Sequence, residues 1–339
     1  MIRFPSRRAV LRHGLAALLL AAVPLAQAAA APLKVVASFS ILGDMVRQIG
    51  GADVSVDTLV GPDGDAHTYE PTTADARKLA QAQLLVVNGL QFEAWLPRLV
   101  RASGFKGRTV TASDGVTPRR FDEAQEAGHG HHHGHDGGGD HDGHGGDAHA
   151  QGGHDHGGHD EHDGGLDPHA WQNLANGVIY ARNIAEALAQ ADPAHAETYR
   201  NRGLAYAARL QALDGKVRAA FSAIPAERRR VVTSHDAFGY FGEAYGVQFL
   251  PVAGMSTEAE PSASELAALV AQVRREGVPA VFVENIQSPK LVEQVARETG
   301  AKVGGTLYSD ALAQPGQPAD NYVGMFEWNL RQLTEALRP

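Results

Sequence analysis

Apolar residues along this chain recur with two periods, and the two periods alternate. Short, nearly continuous apolar runs read as buried strands at Leu33 to Phe39, Val54 to Val60, Leu84 to Asn88 and Thr109 to Ala112. Between them, helical spacing predicts helices at Ile41 to Ile49, Thr72 to Gln81 and Phe92 to Ala102. A long helical stretch follows. Leu174, Val178, Ile184 and Leu188 share one face of a helix from Leu174 to Ala189, and Asp192-Pro193 breaks it and starts a second helix that runs to about Phe221. The alternation then resumes. Strands are predicted at Arg230 to Thr233, Gln248 to Val252, Ala280 to Glu284 and Lys302 to Leu307, with helices at Ala237 to Tyr245, Ser262 to Glu276 and Pro289 to Thr299. Ser262 and Glu265 have capping-box spacing. Asn321 to Leu337 makes a last amphipathic helix.

This order predicts an α/β fold of two lobes, each a mostly parallel sheet covered by helices, with a helical region between them. We divide the chain into a signal peptide over 1–28, an N-terminal lobe over 33–165, a linking helix region over 172–200 and a C-terminal lobe over 201–339. In open α/β sheets ligands bind beyond the carboxyl ends of the strands, and sites often lie between domains. Residues just after strands are therefore the ones to inspect.

Composition narrows the chemistry. The chain has no cysteine, which excludes thiolate metal sites, disulfides and cysteine nucleophiles. The formal charge is −9 and there is no basic stripe, so nucleic acid is not an expected partner. At the N-terminus, Arg3, Arg7, Arg8 and Arg12 precede an apolar run from Leu15 to Leu25 that ends in Ala26-Gln27-Ala28. That is an export signal cleaved near Ala28, and the run is too short for a good membrane span. Ser6 to Arg12 also resembles a twin-arginine signal. Cleavage removes four arginines and no acids, taking the charge from −9 to about −13. The mature protein is expected to be periplasmic, with no lipid anchor because no cysteine follows the apolar run.

Twelve of the 17 histidines fall between His129 and His162, mixed with Gly and Asp. Imidazole suits zinc, copper and nickel, so the segment points to transition-metal handling. It has almost no apolar side chains to offset the entropy of ordering, and we read about 121–165 as a disordered His-rich loop that gathers metal. The defined site is expected elsewhere. Of the other five histidines, His13 leaves with the signal and His195, at the start of a helix, reads as a solvated surface residue. His67 follows the second strand, His169 begins the long helix and His235 follows the strand Arg230 to Thr233; Asp310 sits where the last strand runs out. Each histidine taken alone is more often a polar loop residue than a ligand. Together, three imidazoles and one carboxylate make a closed tetrahedral zinc set, which favours holding metal over activating water.

At these residues the chain resembles the zinc-binding solute-binding proteins of ATP-driven metal importers, a family that also includes manganese-binding proteins and some adhesins. Gly61-Pro62 through His67-Thr68-Tyr69-Glu70-Pro71, Asp167-Pro168-His169-Ala170-Trp171, His235-Asp236-Ala237-Phe238-Gly239-Tyr240-Phe241 and Ser309-Asp310 occur in the family's order. The resemblance covers residues 33 to 339. It implies two lobes joined by one long, rather rigid helix, with metal in the cleft between them, and it carries the ligand role onto His67, His169, His235 and Asp310. Manganese relatives typically have a carboxylate at the third position; His235 there favours zinc. The first motif departs from the family at Asp65 and Ala66, so Asp65 and Glu70 are the acids to watch as extra ligands. Some zinc relatives replace the final Asp by water or a Glu.

The expected function is periplasmic capture of zinc and its delivery to an ATP-driven importer, with the His-rich loop as an accessory collector. Expected partners are the importer's membrane permease and an auxiliary zinc chaperone, and the protein is expected to be a monomer. The alternative is a zinc-dependent adhesin or a zinc buffer without a transporter. An enzyme is not expected: a zinc hydrolase needs an open coordination position and a nearby base, no H-E-x-x-H is present, and Asp310 would fill the fourth position.

Overall fold

The strand that opens the mature chain is apolar at almost every position, so it is built to be covered on both faces. In the computed structural model, which describes Met1 and residues 31–121, 165–253, 257 and 261–338, that strand is the inner strand β1 (Leu33–Phe39). It pairs in parallel with β2 (Val54–Val60) on one side and β3 (Leu84–Val87) on the other, and β4 (Arg108–Thr111) completes the order β2-β1-β3-β4. The edge strand β2 alternates between exposed and covered positions, as an edge with one wet face should. Helices α1 (Ser40–Gly50), α2 (Thr73–Gln81) and α3 (Leu96–Ser103) cover the sheet, and α2 opens on a complete capping box from Thr72 and Asp75. The expected signal peptide and almost all of the His-rich segment lie outside the described residues.

One helix begins later than its sequence predicts. The predicted start at Phe92 falls in the turn that follows Gly89, Leu90 and Gln91, which all take left-handed backbone with φ of 84°, 52° and 64°, and residues 92–95 are not yet helical. The turn is held by the buried Glu93 carboxylate, whose Oε1 accepts from the Ser38 hydroxyl and the Asn88 N–H at 2.6 Å each and whose Oε2 accepts from the Gly89 N–H at 3.2 Å. The helix starts only at Leu96, with Pro97 in its first turn, where a missing N–H costs nothing.

Two long helices follow, α4 (Leu174–Ala191) and α5 (Ala196–Ser222). They are separated at Asp192-Pro193, as their sequence predicts. Helix α5 is continuous through position 201, where the sequence reading starts the C-terminal lobe. Its 27 residues span roughly 40 Å. Tyr199, Gly203, Tyr206, Leu210, Leu213, Val217 and Phe221 form one buried stripe along it. At Gly203 the two long helices approach so closely that an added Cβ would lie 2.5 Å from the Ala185 methyl.

The second sheet repeats the plan of the first. Strands β5 (Arg230–Thr233), β6 (Gln248–Pro251), β7 (Ala280–Glu284) and β8 (Lys302–Leu307) are parallel in the order β6-β5-β7-β8, with helices α6 (Gly239–Tyr245), α7 (Ala263–Glu276) and α8 (Lys290–Thr299) between them. Helix α9 (Tyr322–Leu337) closes the chain. One apolar cluster runs from Val35 and Ile41 through Ile184, Leu210 and Phe221 to Phe241, Phe326 and Leu333, so the two lobes share a core across the long helices. Such continuous packing resists wide opening of the lobes. In both sheets the strand order reverses between the first and third strands of the lobe, and the carboxyl ends of those strands face the cleft.

Candidate metal centre

Four side chains from four segments converge in that cleft. His67 lies on the loop after β2, His169 precedes the short turn at Ala170–Gln172, His235 follows β5, and Asp310 follows β8. One donor atom from each can be chosen so that all lie within 4.8 Å of one another, and among the described residues no other group of histidines and acids does this. His169, His235 and Asp310 are fully buried, and the His67 side chain keeps 13% exposure. His67 Nε2 and His235 Nε2 each lie 3.1 Å from Asp310 Oδ2. The His67 and His169 Nε2 atoms are 3.4 Å apart, and His169 Nε2 is 3.7 Å from Asp310 Oδ1. The edges of a tetrahedron around zinc with bonds near 2.0–2.1 Å are about 3.3 Å long.

Carboxylates behind the imidazoles set which ring nitrogen faces inward. His169 Nδ1 lies 2.8 Å from Asp167 Oδ1, whose other oxygen takes a 3.0 Å bond from Arg119. His235 Nδ1 lies 2.7 Å from Glu284 Oε2, a close ion pair rather than an aligned hydrogen bond, and Glu284 Oε1 accepts from the His235 N–H at 2.9 Å. With Nδ1 protonated against these carboxylates, the inward Nε2 atoms of the neutral rings carry lone pairs. Lone pairs on nitrogen and oxygen that face each other at 3.1–3.7 Å repel unless a cation lies among them. Asp310 Oδ1 is buried with no hydrogen-bond partner, a further donor left for such a cation.

Without metal, the cation is a proton. Burial alone would pull the His235 pKa down, but the Glu284 and Asp310 carboxylates outweigh it and hold the imidazole well above its usual value. Burial would likewise raise Asp310, and the neighbouring His169 and His235 overcome it and hold the carboxyl well below the usual range.

The walls are aromatic. The Phe92 ring meets His67 edge-on at 5.0 Å and packs against Trp171 at 4.9 Å, while Trp171 lies 5.3 Å from His169. Trp171 Nε1 and Gln172 Nε2 both donate to the Ser309 carbonyl, at 2.9 and 2.7 Å, and so tie the His169 segment to the one carrying Asp310. The left-handed turn at residues 89–91 delivers Phe92 to this wall, and Asn88 there donates to the Pro168 carbonyl at 2.9 Å. Gly239 admits the Arg119–Asp167 pair: a Cβ on it would collide with the Arg119 guanidinium.

The sequence-predicted residues His67, His169, His235 and Asp310 are thus brought together, and His195 is elsewhere, bonded to Asp192 at 2.7 Å. Asp65 and Glu70 stand outside the group. Asp65 Oδ1 accepts the His67 N–H at 2.8 Å and its Oδ2 accepts from the Thr257 hydroxyl at 2.6 Å; Glu70 is exposed. Sequence reasoning did not assign Asp167, Glu284, Arg119 or Phe92. Asp167 was findable from its place two residues before His169, and Glu284 from its position at the end of a strand beside the reversal in strand order. Glu284→Gln keeps the shape of the side chain but removes the charge that orients His235. It should weaken metal binding by about 10- to 100-fold in a competition titration.

Residues 35–336 match the family described as zinc-uptake complex component A, periplasmic. The chain belongs to this family. It is a metal-binding solute-binding protein of the kind that serves ATP-driven importers, and not an enzyme. It is 32% identical to the manganese ABC transporter substrate-binding lipoprotein PsaA of Streptococcus pneumoniae, over 90% of this chain and 89% of that protein. It is also 32% identical to the iron ABC transporter substrate-binding lipoprotein MtsA of Streptococcus pyogenes serotype M1, with the same coverage. Among solved structures, the periplasmic zinc binding protein TroA from Treponema pallidum superposes with a TM-score of 0.76 at 27% identity, covering 91% of this chain and all of that one. A manganese-bound periplasmic metal binding protein from Candidatus Liberibacter asiaticus gives 0.72 at 28% identity, covering 90% of this chain and 99% of that one.

Proposed function

We propose that this protein captures zinc through His67, His169, His235 and Asp310 and delivers it to the membrane permease of an ATP-driven importer. The observation that carries the reading is the donor set itself. Three inward imidazole nitrogens and one buried carboxylate gather within 4.8 Å, and the His67–Asp310, His235–Asp310 and His67–His169 separations of 3.1, 3.1 and 3.4 Å are near the edge length of a zinc tetrahedron. Relatives named for manganese, iron and zinc share the fold, so the choice of metal rests on these donors. Three nitrogens and one oxygen in a closed shell favour zinc over manganese, which prefers more oxygen ligands and binds more weakly to nitrogen. Capture takes place in the periplasm, after export and cleavage near Ala28. The His-rich segment collects zinc weakly and passes it inward, or docks an auxiliary zinc chaperone.

The test removes the His-rich segment. Its described ends already meet: Arg120 pairs with Leu166 as an antiparallel bridge, and the Phe121 N–H donates to the Gly165 carbonyl at 3.1 Å. A two-residue turn can therefore replace residues 122–164 without strain. In a zinc titration against a competing chelator, that protein should keep one tight site, and zinc should displace manganese from it. Loss of the tight site would mean that the segment supplies the primary ligands.

A further inference from the structure

Asp63 holds left-handed backbone, with φ of 54°, in the loop that carries His67. Side chains other than glycine disfavour that conformation, although aspartate tolerates it better than most. Three hydrogen bonds hold it there, all from segments of the second sheet's lobe. The Asp63 N–H donates to the Leu312 carbonyl at 2.9 Å, Oδ1 accepts from Asn285 Nδ2 at 3.0 Å, and Oδ2 accepts from Gln314 Nε2 at 3.1 Å. Asn285 directly follows Glu284, and Leu312 and Gln314 closely follow Asp310. One residue of the His67 loop is therefore tied to both segments that build the far side of the site.

The four donors differ in how they are held. His169 and His235 are buried and backed by Asp167 and Glu284, and Asp310 is buried between imidazoles. His67 is the partly exposed donor, so an ion reaches or leaves the others past it. We infer that Asp63 is a clasp. It closes the His67 loop over the bound ion, and its release sets the rate at which metal leaves. It is a positioning residue, not a ligand. The inference rests on the proposal that the four donors hold zinc. A glycine would satisfy the backbone here, but only a side chain with two acceptor oxygens bridges Asn285 and Gln314.

The experiment loads the full mature chain with one equivalent of Zn2+ and mixes it with excess chelator in a stopped-flow instrument. Asp63→Gly keeps the left-handed backbone and removes both side-chain bonds. It should release zinc from the tight site about tenfold faster, with the association rate unchanged. Asp63→Asn, which keeps an acceptor oxygen and tolerates left-handed backbone, should fall between glycine and wild type. Gln314→Ala, which also removes the bond from Gln314 Nε2 to the Pro62 carbonyl at 3.3 Å, should accelerate release too, and the two accelerations should not multiply in the double variant because both changes break the Asp63–Gln314 bond. Release from Asp63→Gly at the wild-type rate, or accelerations that multiply in the double variant, would overturn the clasp. Should His235→Ala release zinc as slowly as wild type, the donor assignment itself fails, and the clasp with it.

Discussion

Replacing His235 by alanine should weaken zinc binding by about 100-fold or more, the largest loss of any single change at this site. Removal of a partner that only orients a ligand costs 10- to 100-fold, and loss of the ligand itself costs at least the upper end of that range. His235 carries a second burden. Its ring lies between two buried carboxylates, 3.1 Å from Asp310 Oδ2 and 2.7 Å from Glu284 Oε2. Alanine takes that partner from buried Glu284 and removes from buried Asp310 one of its two imidazoles at 3.1 Å, so the metal-free protein should also lose stability. His67→Ala removes a donor too, but that position is partly exposed, and a water molecule can take its place on the metal. The expected order of affinity is therefore wild type, then His67→Ala, then His235→Ala. A chelator-competition titration on the protein with residues 122–164 replaced reads all three without interference. Wild-type affinity in both variants would remove these histidines from the site.

That order depends on burial, which the sequence conveys only in part. The repeating strand and helix pattern, the break at Asp192-Pro193 and the positions of His67, His169, His235 and Asp310 after their elements were legible because they follow from local spacing. The approach of those four residues was not local. His67 and Asp310 are 243 positions apart and meet because two sheets of the same strand order turn their carboxyl ends toward one cleft. Sequence spacing could suggest the convergence but not its distances. The late start of α3 was hidden for a different reason. Leu90 and Gln91 have ordinary helical side chains, and what places them in left-handed backbone is the distant Ser38 hydroxyl and the local N–H groups gathered by Glu93. Asp65 shows the converse. The departure of the first motif from the family made it an acid to watch as an extra ligand, but its oxygens are committed to the His67 N–H and the Thr257 hydroxyl.

Zinc binding should release a proton near neutral pH, and affinity should fall by about tenfold for each pH unit of acidification per proton displaced. The sign follows from the metal-free site. Burial opposes charge on His235, yet Glu284 and Asp310 hold its pKa well above the usual imidazole value. The metal-free site therefore holds a proton on that ring to higher pH than a free imidazole would. Zinc needs the neutral ring, because it takes the same Nε2 lone pair that the proton occupies. Binding above the raised pKa displaces no proton from His235, and affinity there should be flat. Below it every zinc ion competes with a proton, and affinity declines as the solution becomes more acid. Asp310 contributes nothing to this slope near neutrality, since its pKa is held well below the usual carboxylate range. Calorimetry in buffers of different ionisation enthalpy, repeated from pH 8 to pH 6, counts the protons directly. Glu284→Gln removes one of the two carboxylates that raise His235, so it should move the onset of the decline to lower pH. Heats independent of the buffer throughout that range would show that no proton is displaced, and His235 would then be neutral before the metal arrives.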